Sequence, residues 1–99
     1  MFKELNPILH SELRLGIMSL LISIQEADFV YIMEQTKSTG GNLGAQILKL
    51  QKAEYLTVVK SFKVNRPCTT CKITPKGIQA FDEYVEALKT YLQARSGAQ

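Results

Sequence analysis

Thr39, Asn42, Gln46 and Lys49 follow one another at intervals of three, four and three residues, so on a helix they share one face. Their hydroxyl, amide and ammonium groups are the kinds that hydrogen-bond to the edges of nucleic-acid bases. A second set, Lys60, Lys63 and Arg66, flanks the turn-like stretch KVNRP and carries charge suited to neutralising phosphates. CTTC, Cys68 to Cys71, has the spacing of a redox or metal pair, but that chemistry is not expected of it. Catalytic pairs of this type sit at a helix N-terminus that stabilises the thiolate. These two lie in a predicted strand, where residues three apart face opposite sides. Structural zinc usually takes four ligands, and beyond the two cysteines the chain offers only His10. Neither a metal nor a cofactor is expected, and Cys71, in phase with Ile73, is assigned to the core.

Catalysis has little to work with. There is one histidine, no Ser/His/Asp order and no cluster of paired carboxylates, and STGG lacks the preceding strand and following Gly-Lys-Ser/Thr of a phosphate loop. The chain is therefore expected not to be an enzyme, with His10 at the surface or a protomer contact. At 99 residues, 45% hydrophobic and 21% charged, it has the length of a single domain, 1–99, with one modest core. No segment approaches the roughly 20 apolar residues of a membrane span, and Met1 to Leu9 lacks a signal-peptide pattern. A cytoplasmic location without membrane contact is the expectation. The net charge of +3 is unevenly distributed: −3 over Met1 to Thr36, +7 over Lys37 to Lys76, and −1 beyond. In the central block eight basic residues face the single carboxylate Glu54, where a polyanion-facing surface would need them.

The elements that must carry these groups are legible from periodicity. Dense apolar residues between Ser11 and Ile24 predict a buried central helix, with Ser11 as its cap. Asp28 is placed as the N-cap of a short second helix bearing Phe29, Ile32 and Met33. STGG interrupts it, and a third helix follows over about 41–52, with Leu43, Ile47 and Leu50 on its inner face. Two short helices joined by a glycine-containing turn form a helix-turn-helix. Beyond Ala53 the period changes to two, predicting a hairpin of two strands whose tip carries Lys63 and Arg66. Thr74, followed by Pro75, opens a last helix over about 75–93. Its Ile78, Phe81, Val85, Leu88 and Leu92 recur at intervals of three and four, a seam that wants a partner; residues 94–99 read as a frayed tail.

This order, mainly α with a two-stranded β wing, is that of a winged helix-turn-helix. The chain resembles the small single-domain winged-helix transcriptional regulators related to the MarR-like proteins. The likeness is carried by LHSELRLGIMSLL at Leu9 to Leu21, DFVYIMEQT at Asp28 to Thr36, TGGNLGAQILKLQKAEYL at Thr39 to Leu56, and KSFKVNRPCTTCKITPKGIQAF at Lys60 to Phe81. The resemblance implies a homodimeric regulator that binds double-stranded DNA. The helix at 41–52 would enter the major groove, and the wing at 60–67 would lie on the flanking backbone or minor groove. The DNA-binding residues are then Thr39, Asn42, Gln46, Lys49, Lys60, Lys63 and Arg66. The dimer contact would use Leu5, Ile8, Leu9, Ile78, Phe81, Val85, Leu88 and Leu92. A small-molecule effector is compatible with the resemblance, though no residue marks one. Two departures stand out. Gly44, Ala45 and Gln46 occupy positions where relatives usually carry Ser, Arg and His, and Glu54 replaces a usual Gly at the helix end. They keep a second expectation open: a winged helix serving as a protein-interaction or scaffold module with weak or no DNA binding.

Overall fold

α1 spans Glu12–Ile24, and its apolar residues are too many for one stripe because it is packed from several sides. The computed structural model describes residues 1–97, with side chains through residue 94. α1 is followed by β1 (Glu26–Asp28), α2 (Phe29–Thr36), α3 (Gly40–Lys52), β2 (Leu56–Lys63), β3 (Arg66–Ile73) and α4 (Pro75–Gly97). Ile17, Met18 and Leu21 of α1 meet Ile32 of α2, Leu43, Ile47 and Leu50 of α3, and Leu56, Cys71 and Ile73 of the sheet in one core. Ser11 caps α1 as expected, its side chain accepting from the Arg14 amide.

The sheet departs from the expected pair of strands. It has three, antiparallel, in the order β1-β3-β2. β1 is only three residues long, with Ala27 buried between exposed Glu26 and Asp28, and it pairs across to Lys72, Cys71 and Thr70. Asp28 consequently does not cap α2 with its side chain. Its Oδ1 instead accepts from the Thr70 hydroxyl at 3.0 Å, across the strand pair.

The hairpin turn is also tighter than KVNRP implied. Lys63 pairs with Arg66, leaving Val64 and Asn65 as a two-residue turn with φ of 50° and 62°. Both central residues are left-handed, as a turn matching the strand twist requires. Pro67 lies inside β3 opposite Phe62. Closing pairs of such hairpins exchange hydrogen bonds and the next pair does not, so the missing proline N–H breaks no rung.

α4 begins where Thr74 accepts from the Gly77 amide at 2.9 Å. At Gly77 a Cβ would stand 2.1 Å from the Tyr55 carbonyl oxygen, so this close approach of helix to chain demands glycine. The helix continues to Gly97 instead of ending near Gln93. Ala94 and Arg95 are good helix formers and nothing before Gly97 breaks the run. The rest of the expected tail, residues 98 and 99, lies outside the described residues. Ala80, Tyr84 and Ala87 form the buried face of α4, held by a hydrogen bond of 2.9 Å between His10 Nδ1 and the Tyr84 hydroxyl. The N-terminal segment runs alongside, with Phe2 stacked on Tyr91 at 4.8 Å.

Candidate nucleic-acid interface

α3 is amphipathic: with Leu43, Ile47 and Leu50 buried, the residues between them turn outward. Thr39 is its N-cap, accepting from the Asn42 amide at 3.2 Å, so the oxygen expected to meet a ligand already serves the helix start. Gly44 and Ala45 leave the face shallow, and a Cβ added at Gly44 would meet nothing within 4 Å. Lys49 is exposed in the last turn, near the carbonyl end of the helix dipole.

Asn42 and Gln46 are brought together, but they are not free. Gln46 Nε2 donates to Asn42 Oδ1 at 3.0 Å, and Gln46 Oε1 accepts from Arg14 Nη1 of α1. Arg14 in turn donates through Nε to the Ile8 carbonyl at 2.6 Å and through Nη2 to the Pro7 carbonyl at 3.4 Å. Sequence reasoning passed over Arg14. Its one signal is that it is the only basic residue within the apolar run that forms α1.

The end of α3 explains the unusual Glu54. The Glu54 amide donates to Gln51 O at 2.9 Å and the Tyr55 amide to Leu50 O at 3.0 Å, the paired bonds of a Schellman motif. That motif places its C′ residue in the left-handed region, and Glu54 has φ of 66°, where glycine is at ease. Glu54 also holds Lys76 at 3.2 Å. Among the described residues, Lys76 is the one cation of the central block in an ion pair. Lys37, Lys49, Lys52, Lys60, Lys63, Arg66 and Lys72 are exposed without a carboxylate partner among the described residues.

The cysteines are separated as strand geometry requires. Cys68 is half-buried opposite Ser61, while Cys71 is fully buried between Val58 and Ala27. Burial pushes the Cys71 thiol up to about 11. Among the described residues no group of three or more His, Cys, Asp or Glu could hold a metal ion, and no helix is long and apolar enough to cross a membrane.

The residues expected at a protomer contact divide. Leu9 is a correction: it is fully buried within the single chain, because the turn at Asn6–His10 folds it into the core. It has no surface to offer. Leu5, Ile8, Phe81, Val85 and Leu88 are half-buried, and Ile78 and Leu92 are 41% and 58% exposed.

A helix-turn-helix followed by a basic antiparallel hairpin is the architecture of a winged helix. Residues 13–92 match the family described as the winged helix DNA-binding domain, and the chain belongs to it. An uncharacterized protein of Methanocaldococcus jannaschii is 35% identical over 78 residues, which cover 79% of this chain and 85% of that protein. The solved structure of a transcriptional regulator homologue from Pyrococcus horikoshii OT3 superposes with a TM-score of 0.82 at 30% identity, over 88% of this chain and 86% of that one. A MarR-family transcriptional regulator from Silicibacter pomeroyi shares the fold at a TM-score of 0.65 and 13% identity, over 84% of this chain and 55% of its own. The chain is thus MarR-like in its fold and belongs with DNA-binding winged helices.

Proposed function

We propose that this chain is a homodimeric transcriptional regulator that binds double-stranded DNA with sequence preference. The observation that carries the reading is the set of seven exposed cations on α2, α3 and the hairpin strands or the residues at their ends that have no carboxylate partner among the described residues. A polyanion supplies the charge they lack, and release of its counterions drives association. α3 enters the major groove through its shallow face, where small Gly44 and Ala45 allow the backbone to come close. Lys60, Lys63 and Arg66 hold the flanking phosphates or the minor-groove edge. Two copies join through the stripe of Ile78, Phe81, Val85, Leu88 and Leu92, with Leu5 and Ile8 at its border, and the pairing sets the half-site spacing.

Anisotropy titrations against genomic fragments at two salt concentrations test this. Affinity is expected to fall steeply with salt; Lys49→Ala and Arg66→Ala should each weaken binding, and Arg66→Ala, at a phosphate contact, should lower the salt slope by about one. Absence of binding to every fragment at low salt would defeat the proposal. The scaffold reading has one observation of its own: Val59, Phe62 and Val64 stand exposed on the hairpin, a surface that a protein partner could cover. Were the two variants to keep heparin retention and lose a protein partner in pull-downs, that reading would win.

A further inference from the structure

Resting on the reading of α3 as the DNA-facing helix, we infer that its recognition face presents hydrogen-bond donors almost exclusively and therefore selects guanine over adenine. The argument starts at Arg14, which lies on a different helix. A guanidinium has five N–H donors and no acceptor. Whatever Gln46 atom meets Arg14 Nη1 must then be the amide oxygen, and that contact is present. Arg14 cannot easily turn away, because the Ile8 and Pro7 carbonyls hold it from the other side.

The polarity passes on from there. With Oε1 committed to Arg14, Gln46 faces Asn42 with its NH2 group, and Asn42 Oδ1 accepts at 3.0 Å. Asn42 Oδ1 is thus turned along the helix toward Gln46, and its Nδ2 is the amide atom with no bond inside the protein. The oxygen and nitrogen of an isolated amide are interchangeable in shape; here one arginine sets both. Lys49, one turn beyond Gln46, adds an ammonium with no acceptor. The Thr39 oxygen already accepts from the Asn42 amide, leaving its hydroxyl proton for a ligand.

Asparagine or glutamine reads adenine by accepting from N6 while donating to N7, which needs both atoms of one amide on the same base. Asn42 Oδ1 and Gln46 Oε1 each already accept one bond within the protein, so adenine would have to share an oxygen through its second lone pair, whereas guanine asks for donors alone. Guanine shows two acceptors, N7 and O6, whereas cytosine shows the N4 donor. Donors at Asn42, Gln46 and Lys49 match guanine and are mismatched with cytosine on the contacted strand.

Selection from a randomised duplex pool, followed by sequencing, tests the inference with wild type and Gln46→Glu. Wild type is expected to enrich guanine at the base-contact positions of each half-site. The substituted carboxylate would keep Arg14 but offer Asn42 no N–H. The Asn42 amide would then turn its NH2 inward and its oxygen outward, replacing a donor by an acceptor, and the guanine enrichment is expected to fall by about tenfold. Adenine enrichment by wild type, or an unchanged preference in the variant, would overturn the inference and leave DNA binding standing. Failure of wild type to retain any duplex from the pool at low salt would instead remove the underlying DNA-binding reading, and this inference with it. Asn42→Ala provides a second route, since it leaves Arg14 and Gln46 in contact: a guanine preference that survives it unweakened also overturns the inference.

Discussion

Val64 sits at the hairpin tip with φ of 50° and is 95% exposed. A β-branched residue in the left-handed region crowds its own backbone, and at this exposure no packing offsets the cost. Asn tolerates that region because its side chain bonds locally. Val64→Asn is expected to raise stability by about 1 kcal/mol, read as a higher urea midpoint with an unchanged slope. Cys71 makes an opposite point, since its environment and not its backbone sets its behaviour. Burial raises its thiol to about 11 from an ordinary 9.0, so the fold favours the protonated form. The stability this contributes is intact below about pH 9 and is lost as pH rises toward 11, because the unfolded chain releases that proton first. Wild type should therefore lose stability faster than Cys71→Ala between those values, as followed by denaturant titration at each pH. A thiol reagent should also modify half-buried Cys68 before Cys71.

Among the elements, α3 shows how much local pattern conveys. Leu43, Ile47 and Leu50 were placed inside by spacing alone, and the structure buries all three. Its far end was legible in part: the chain resembles relatives with glycine where it carries Glu54, and the left-handed φ of 66° supplies the reason for that glycine. Glu54→Gly should stabilise the helix end by roughly 1 kcal/mol. The exposed Lys76 ion pair lost with it contributes little, so the thermal midpoint is expected to rise. β1 was missed. Three residues cannot show an alternating period, and Glu26–Asp28 becomes a strand only because Lys72, Cys71 and Thr70 present an edge to it. Pro67 was assigned to a turn for the usual reason. The hairpin register moves it into a strand, at a pair where its missing donor is not needed.

For the whole molecule, the radius of gyration of 15.3 Å and extents of 59 × 25 × 21 Å exceed the roughly 13 Å radius typical of a domain of this length. α4, about 34 Å long at 1.5 Å per residue, accounts for much of the elongation. Its own chain covers Ala80, Tyr84 and Ala87 but leaves Ile78 and Leu92 exposed. Leu92→Glu should leave folding intact, since the residue is already exposed, yet place a charge in the proposed contact. Sedimentation is expected to show a dimer for wild type and a monomer for the variant. A monomeric wild type at micromolar concentration would argue against the pairing.

Composition, hydrophobic period and charge placement determined, without coordinates, the helix-turn-helix, the hairpin, the long last helix and the basic centre. Each of these depends on residues a few positions apart. Tertiary structure decided what depends on distant partners: the third strand, the burial of Leu9, and the link from Arg14 to Gln46 across 32 residues. Periodicity reports which way a side chain faces, whereas the polarity of the atoms it shows is set by the groups that folding brings beside it.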